Sequence, residues 1–163
     1  SDQVLQLKTN TTIGVAEDRC AIAGDGKELE IGFNVRYLID ALRAIPVLTL
    51  AHIGDGVYEL LARSAVVARG GLKVVDAHRQ TVALVAAPAQ AKAMAAILPG
   101  LTEEEHSFFA RGRNAKPKST PKHCTLQEYA YATGLECLFG ALYLKGETER
   151  VQQLWQQVLE VLA

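Results

Sequence analysis

Leu50-Ala51-His52-Ile53-Gly54-Asp55-Gly56-Val57-Tyr58-Glu59-Leu60 decides how this chain is read, because it sets an acid between two glycines inside a run that otherwise asks to be a buried helix. The run belongs to a long apolar helix, Leu48 to Arg69, which Gly70-Gly71 stops. A second stretch repeats the anomaly. Tyr131-Ala132-Thr133-Gly134-Leu135-Glu136-Cys137-Leu138-Phe139-Gly140 lies in another long apolar helix, capped by Thr125 and running to about Lys145, and it holds Glu136 among apolar and small neighbours. An isolated buried carboxylate costs several kcal/mol or takes up a proton unless a cation or hydrogen-bond donors compensate it. Two such carboxylates brought together repel, and a hard divalent ion between them resolves both problems. Glycine inside a helix costs about 1 kcal/mol relative to alanine, so Gly54, Gly56, Gly134 and Gly140 point to a close approach of the two helix backbones. The alternative is structural: Asp55 caps a helix break at Gly54, and Glu136 pairs with an arginine. Glu59, at i+4 from Asp55, shares its face as a third candidate ligand, with a surface pair to Arg63 as the competing reading.

Outward from these two stretches the pattern stays helical. Asp76 reads as the cap of a segment Ala77 to Ala86, and Pro88 opens another to Leu98 that Pro99-Gly100 halts. Thr102-Glu103-Glu104-Glu105 is a capping box for a helix through Arg111. Glu147 to Leu162 is amphipathic, with Leu154, Val158 and Leu162 on one face. From Leu48 onward this gives six helices and no convincing strand.

Residues 1–46 differ. They carry five Lys/Arg against seven Asp/Glu, and 47–163 carry twelve against eleven. Val4 to Lys8 alternates, Ala23 to Lys27 is a turn, Leu29 to Phe33 alternates again, and Asn34 caps a helix Val35 to Ile45. Two strands and one helix bury too little to fold alone.

The chain has 163 residues, 49% hydrophobic and 21% charged, which suits a globular domain with a real core and excludes a disordered, collagenous or coiled-coil chain. Uncharged apolar stretches such as Thr81 to Ala91 are far shorter than the ~20 residues of a membrane helix, so no transmembrane span and no membrane partner are expected. No secretory signal stands in the first 25 residues, and the expected compartment is the cytoplasm. Cys20, Cys124 and Cys137 form no CxxC pair and read as small apolar filler. His52, His78, His106 and His123 show no ligand spacing, His106-Ser107 is no triad, and Gly24-Asp25-Gly26 lacks the Lys-Ser/Thr of a phosphate loop. With a net charge of −1, nucleic-acid binding must come from a local patch. The loop Arg111 to His123 provides one: Arg111, Arg113, Lys116, Lys118 and Lys122 fall within twelve residues that hold no acid. Such an arm follows a phosphate backbone or is solvated surface.

These motifs resemble Mini-ribonuclease III. The likeness is carried by Leu50 to Leu60, by Arg111-Gly112-Arg113-Asn114-Ala115-Lys116, and by Tyr131 to Leu144, in that order, and it extends over Val47 to Ala163. The resemblance implies the compact catalytic domain of ribonuclease III without a separate double-stranded-RNA-binding domain. It implies a homodimer that cleaves double-stranded RNA with Mg²⁺, and in bacteria trims the 23S ribosomal RNA precursor, with a ribosomal protein as a possible helper. Asp55 and Glu136 match the family's metal-binding catalytic acids, and Arg111, Arg113, Asn114, Lys116, Lys118 and Lys122 would contact RNA. Larger ribonuclease III enzymes carry two further acids where this chain has Ala51 and Thr133; the compact family departs there too.

Residues 1–46 are similar instead to part of the last domain of the bacterial DNA polymerase III sliding clamp, through Leu7 to Gly14, Gly24-Asp25-Gly26 and Leu29 to Arg43. A fragment lacking most partner strands cannot form a ring, so clamp function is not transferred to it. The expected fold class is an all-α ribonuclease III-type catalytic domain, 47–163, with a short α+β amino-terminal segment that is not an independent domain. Two other functions stay open on the residues: a non-catalytic double-stranded-RNA-binding module, and a clamp-derived interaction module.

Overall fold

The computed structural model describes residues 3–11, 14–22, 44–115 and 123–162. The chain divides into two compact units, Ser1–Tyr37 and Leu38–Ala163.

The first unit contains an antiparallel hairpin of β1 (Gln3–Thr11) and β2 (Gly14–Ile22), with Thr11 opposite Gly14 and Gln3 opposite Ile22. The first strand is longer than the alternation of Val4 to Lys8, and its partner is a segment to which sequence reading gives no strand. The physical reason is local. Glu17-Asp18-Arg19 breaks the apolar alternation, and the connection across Thr12 and Ile13 has no Asn-Gly or Asp-Gly signal. The turn expected at 23–27, the strand at 29–33 and the helix at 35–43 lie outside the described residues.

The second unit is helical. Among the described residues its α-helices are α1 (Val47–Ala68), α2 (Val74–Val85), α3 (Ala87–Ile97), α4 (Glu103–Arg113), α5 (Leu126–Leu144) and α6 (Thr148–Leu162), with a 3₁₀ turn, Leu98–Gly100, after α3. Punctuation explains the boundaries. Gly70 and Gly71 follow α1 with φ of 70° and 69°, and Gly146 follows α5 with φ of 74°, a conformation in which a Cβ is costly. Capping boxes open α4, through Thr102 and Glu105, and α5, through Thr125 and Glu128. Asp76 is not a cap: α2 begins at Val74 after Lys73, and Asp76 lies in its first turn, where it meets the helix dipole and pairs with Arg79 at 2.7 Å.

The centre of the unit is α5, which packs against α1, α3, α4 and α6. From Ala132 to Leu142 every residue is buried except Glu136, which is half-buried. A helix apolar on all sides is a core helix. Around it Tyr58 sits edge-on to Phe139 and Trp155, with ring centroids 5.6 and 5.2 Å away, an arrangement aromatic quadrupoles favour. Glu105, buried at the start of α4, receives Arg150 Nε at 2.7 Å and so ties α4 to α6.

Two of the helix contacts involve backbone. A Cβ on Gly54 of α1 would lie 1.7 Å from the Glu136 carbonyl oxygen, and one on Gly140 would lie 2.1 Å from the Leu50 carbonyl oxygen. On the other side of α5, a Cβ on Gly134 would meet the Phe109 ring at 2.5 Å, and one on Gly112 would meet the Thr133 carbonyl oxygen at 2.5 Å. Gly56 takes no part in this approach: nothing lies within 4 Å of where its Cβ would be. The two glycines flanking Asp55 therefore predict opposite outcomes. Gly54→Ala forces α1 and α5 apart and should cost at least about 3 kcal/mol of unfolding free energy, the upper end of overpacking. Gly56→Ala should gain about 0.5–1 kcal/mol by helix propensity. Urea melts of the two variants check this, and equal midpoints would refute the backbone contact.

Candidate active site

Asp55 follows Gly54 directly, and Glu136 supplies the carbonyl against which Gly54 rests, so the α1–α5 crossing brings the two acids to one place. The electrostatics register their meeting. Burial first, and then the negative charge of Asp55, push the Glu136 carboxyl up from the ordinary range to about 7. The Gln90 side-chain amide opposes that rise. The two acids differ in exposure. Sequence reading expects both to be buried; Asp55 is exposed, because it projects beside the crossing and not into it, and Glu136 alone is half-buried.

Glu59 is paired with Arg63 one turn on, at the surface. Among the described residues no three His, Cys, Asp or Glu side chains gather into a metal-binding group, so Asp55 and Glu136 stand as a pair. Ala51 and Thr133 are both buried, and the Thr133 hydroxyl donates to the Tyr129 carbonyl at 3.0 Å. All four histidines are exposed. Cys137 is buried, and burial pushes its thiol up to about 11, in keeping with an inert core residue.

The basic arm divides. Arg111 is half-buried; its Nη2 donates to the Ile45 carbonyl at 2.9 Å and its guanidinium lies 5.7 Å from the Phe108 ring centre. That contact fixes the base of the basic arm through one nitrogen of the guanidinium. Arg113 and Asn114 are exposed at the end of α4; Arg113 lies over the Phe109 ring and donates to Asn114 at 3.3 Å. Lys116, Lys118 and Lys122 lie outside the described residues.

Gln90 is absent from the sequence reading. It is 1% exposed, in the middle of α3, on the side that also buries Ala93, Met94 and Ile97. The available signal was its place at i, i+3, i+4 and i+7 with those apolar residues, where an amide is out of character.

Residues 48–147 match the Ribonuclease III domain, and residues 1–49 match the DNA polymerase III beta subunit, C-terminal domain. A Mini-ribonuclease 3 of Symbiobacterium thermophilum is 42% identical over 118 residues, covering 72% of this chain and 91% of that protein. One from Thermoanaerobacter sp. is 44% identical over 115 residues, covering 71% and 81%. An X-ray structure of a protein from Fusobacterium nucleatum superposes with a TM-score of 0.67 at 30% identity, over 73% of this chain and 95% of that one. The helical unit is thus an endoribonuclease domain of the ribonuclease III type. More narrowly, the chain belongs to the Mini-ribonuclease 3 family. Of the functions left open by the residues, the enzyme is the one this membership supports.

The elevated Glu136 carboxyl carries a pH signature. A group that holds its proton more tightly when folded than when unfolded stabilises the fold in its protonated form. In metal-free protein that contribution is complete below the usual carboxylate value of 4.5 and is lost as pH rises through about 7. Glu136→Gln should remove this part of the pH dependence. Thermal melts of both proteins across that window check it, and parallel curves would show that Glu136 does not titrate there.

Proposed function

We propose that this chain is a Mg²⁺-dependent endonuclease for double-stranded RNA that matures the 23S ribosomal RNA precursor in the cytoplasm, acting as a homodimer. The observation that carries the reading is the carboxylate pair Asp55 and Glu136 at a glycine-lined helix crossing, in a chain of the Mini-ribonuclease 3 family. The donor set fits a hard divalent cation. Both ligands are carboxylate oxygens, and Glu136, held up by burial and by its neighbour's charge, gains from a cation that offsets both. When bound, Mg²⁺ supplies charge neutralisation at the scissile phosphate and a more acidic water. Asp55 and Glu136 would hold it, the first exposed and the second half-buried at the crossing. Glu59, engaged by Arg63, is at most an outer partner.

The rest of the chain recognises the duplex. Arg113 and Asn114 at the end of α4, with Lys116, Lys118 and Lys122 beyond it, contact phosphates on either side of the cut, and Arg111 anchors the base of this arm. Recognition is then of A-form shape and charge more than of sequence. The homodimer, the 23S precursor and a ribosomal-protein helper follow the family resemblance. Among the described residues no single helix is long and apolar enough to cross a membrane.

Duplex RNA should be cut in the presence of Mg²⁺ and left intact in EDTA. Asp55→Asn and Glu136→Gln should each lower the cleavage rate about 1,000-fold, roughly 4 kcal/mol in barrier height, while duplex binding persists. Near-normal cleavage by either variant removes that residue from the site. Arg113→Ala should weaken RNA binding and flatten the slope of log affinity against log salt by about one unit. An unchanged slope takes Arg113 off the phosphate backbone.

A further inference from the structure

Helix α3 reads Ala-Pro-Ala-Gln-Ala-Lys-Ala-Met-Ala-Ala-Ile, and Gln90 is the polar residue on the side it buries. The residue is 1% exposed, and its Nε2 is buried with no hydrogen-bond partner. Buried donors in folded proteins are satisfied in the great majority of cases, and one that is not calls for a reason. Leucine or methionine at this position would fill similar space without the cost. The reason lies across the α3–α5 contact, where the Gln90 side chain faces the Glu136 carboxyl and favours its charge.

We propose that Gln90 is a positioning residue: its Nε2 donates to one oxygen of Glu136 and turns the other toward a cation shared with Asp55. This rests on the metal site proposed above. A carboxylate offers two oxygens, each able to accept two hydrogen bonds or ligand bonds, so one can take the Gln90 donor while the other is left for the cation. The chemistry of the side chain suits the task. A lysine here would neutralise Glu136 and compete with the cation for it; an acid would add repulsion to a pair that already has it. An amide donates a proton and carries no charge. Hydrogen bonds of this kind orient metal ligands and set their affinity, and losing one typically costs 10–100-fold.

The test uses the full chain, with Mn²⁺ as an observable substitute for Mg²⁺. Manganese affinity is measured by electron paramagnetic resonance without RNA, for the wild type, Gln90→Leu, Gln90→Met, Asp55→Asn and Glu136→Gln, and melting temperature is recorded for each metal-free protein. Gln90→Leu and Gln90→Met should melt no lower than the wild type, since an unsatisfied donor has been removed. Both should bind Mn²⁺ about 10–100-fold more weakly and need a correspondingly higher Mg²⁺ concentration for half-maximal cleavage. In the Glu136→Gln background neither should weaken binding further. Unchanged Mn²⁺ affinity in whichever of the two variants folds, or a loss that simply adds to that of Glu136→Gln, overturns the assignment and makes Gln90 a core residue. If Asp55→Asn and Glu136→Gln themselves leave Mn²⁺ affinity unchanged, the metal site fails and Gln90 falls with it. If they weaken it and the Gln90 variants do not, only the Gln90 assignment fails.

Discussion

Everything in the helical unit is organised by the contact of two helix backbones with no side chain between them. Gly54 and Gly140 let α1 and α5 approach until each helix rests on a carbonyl of the other, Glu136 on one side and Leu50 on the other. Such contact is unforgiving, because a displaced carbonyl cannot choose another rotamer as a crowded side chain can. It fixes the relation of Asp55 to Glu136 through the scaffold itself, with no reliance on flexible side-chain packing. The second glycine crossing, Gly112 with Gly134, does the same for α4, at whose far end the exposed Arg113 and Asn114 begin the basic arm. The two acids and the end of α4 are thus held by one helix, α5, which is buried along most of its length.

A helix so enclosed leaves little choice for an ionised group. Glu136 is the one residue between Ala132 and Leu142 that reaches partly out of the core, and it does so toward another acid. As a contribution to folding this is a liability, since both burial and like charge oppose its ionisation. Proteins keep such arrangements where function requires them. The buried Nε2 of Gln90 is a second such cost at the same place, and the positioning role proposed for it would account for its being there.

Much of this was legible in the residues, for identifiable reasons. Gly70-Gly71, the two capping boxes and Pro88 mark helix ends by local chemistry, and the ends fall within a residue or two of where those signals put them. Acids and glycines mixed into apolar helices signalled the α1–α5 crossing. What failed depended on distant neighbours. Gly54 and Gly56 look alike in sequence, yet only one faces α5. Asp76 looks like a cap, but two valines precede it in the same helix. Strand β2 is the exception, since its partner β1 is adjacent in the chain; there Glu17-Asp18-Arg19 breaks the apolar alternation by which a strand is read. That Arg111 also reaches the Ile45 carbonyl and the Phe108 ring is not visible in its cationic run. Gln90 gains its meaning only from the carboxylate across the helix contact.

The account turns on one ion shared by Asp55 and Glu136. Anomalous diffraction from crystals of the full chain grown with Mn²⁺ locates it directly, as the heaviest scatterer bound. The account predicts a single strong peak at the α1–α5 crossing, within about 2.5 Å of a carboxylate oxygen or bridged to it by one water. A peak elsewhere, with both carboxylates turned away from it, would contradict the account.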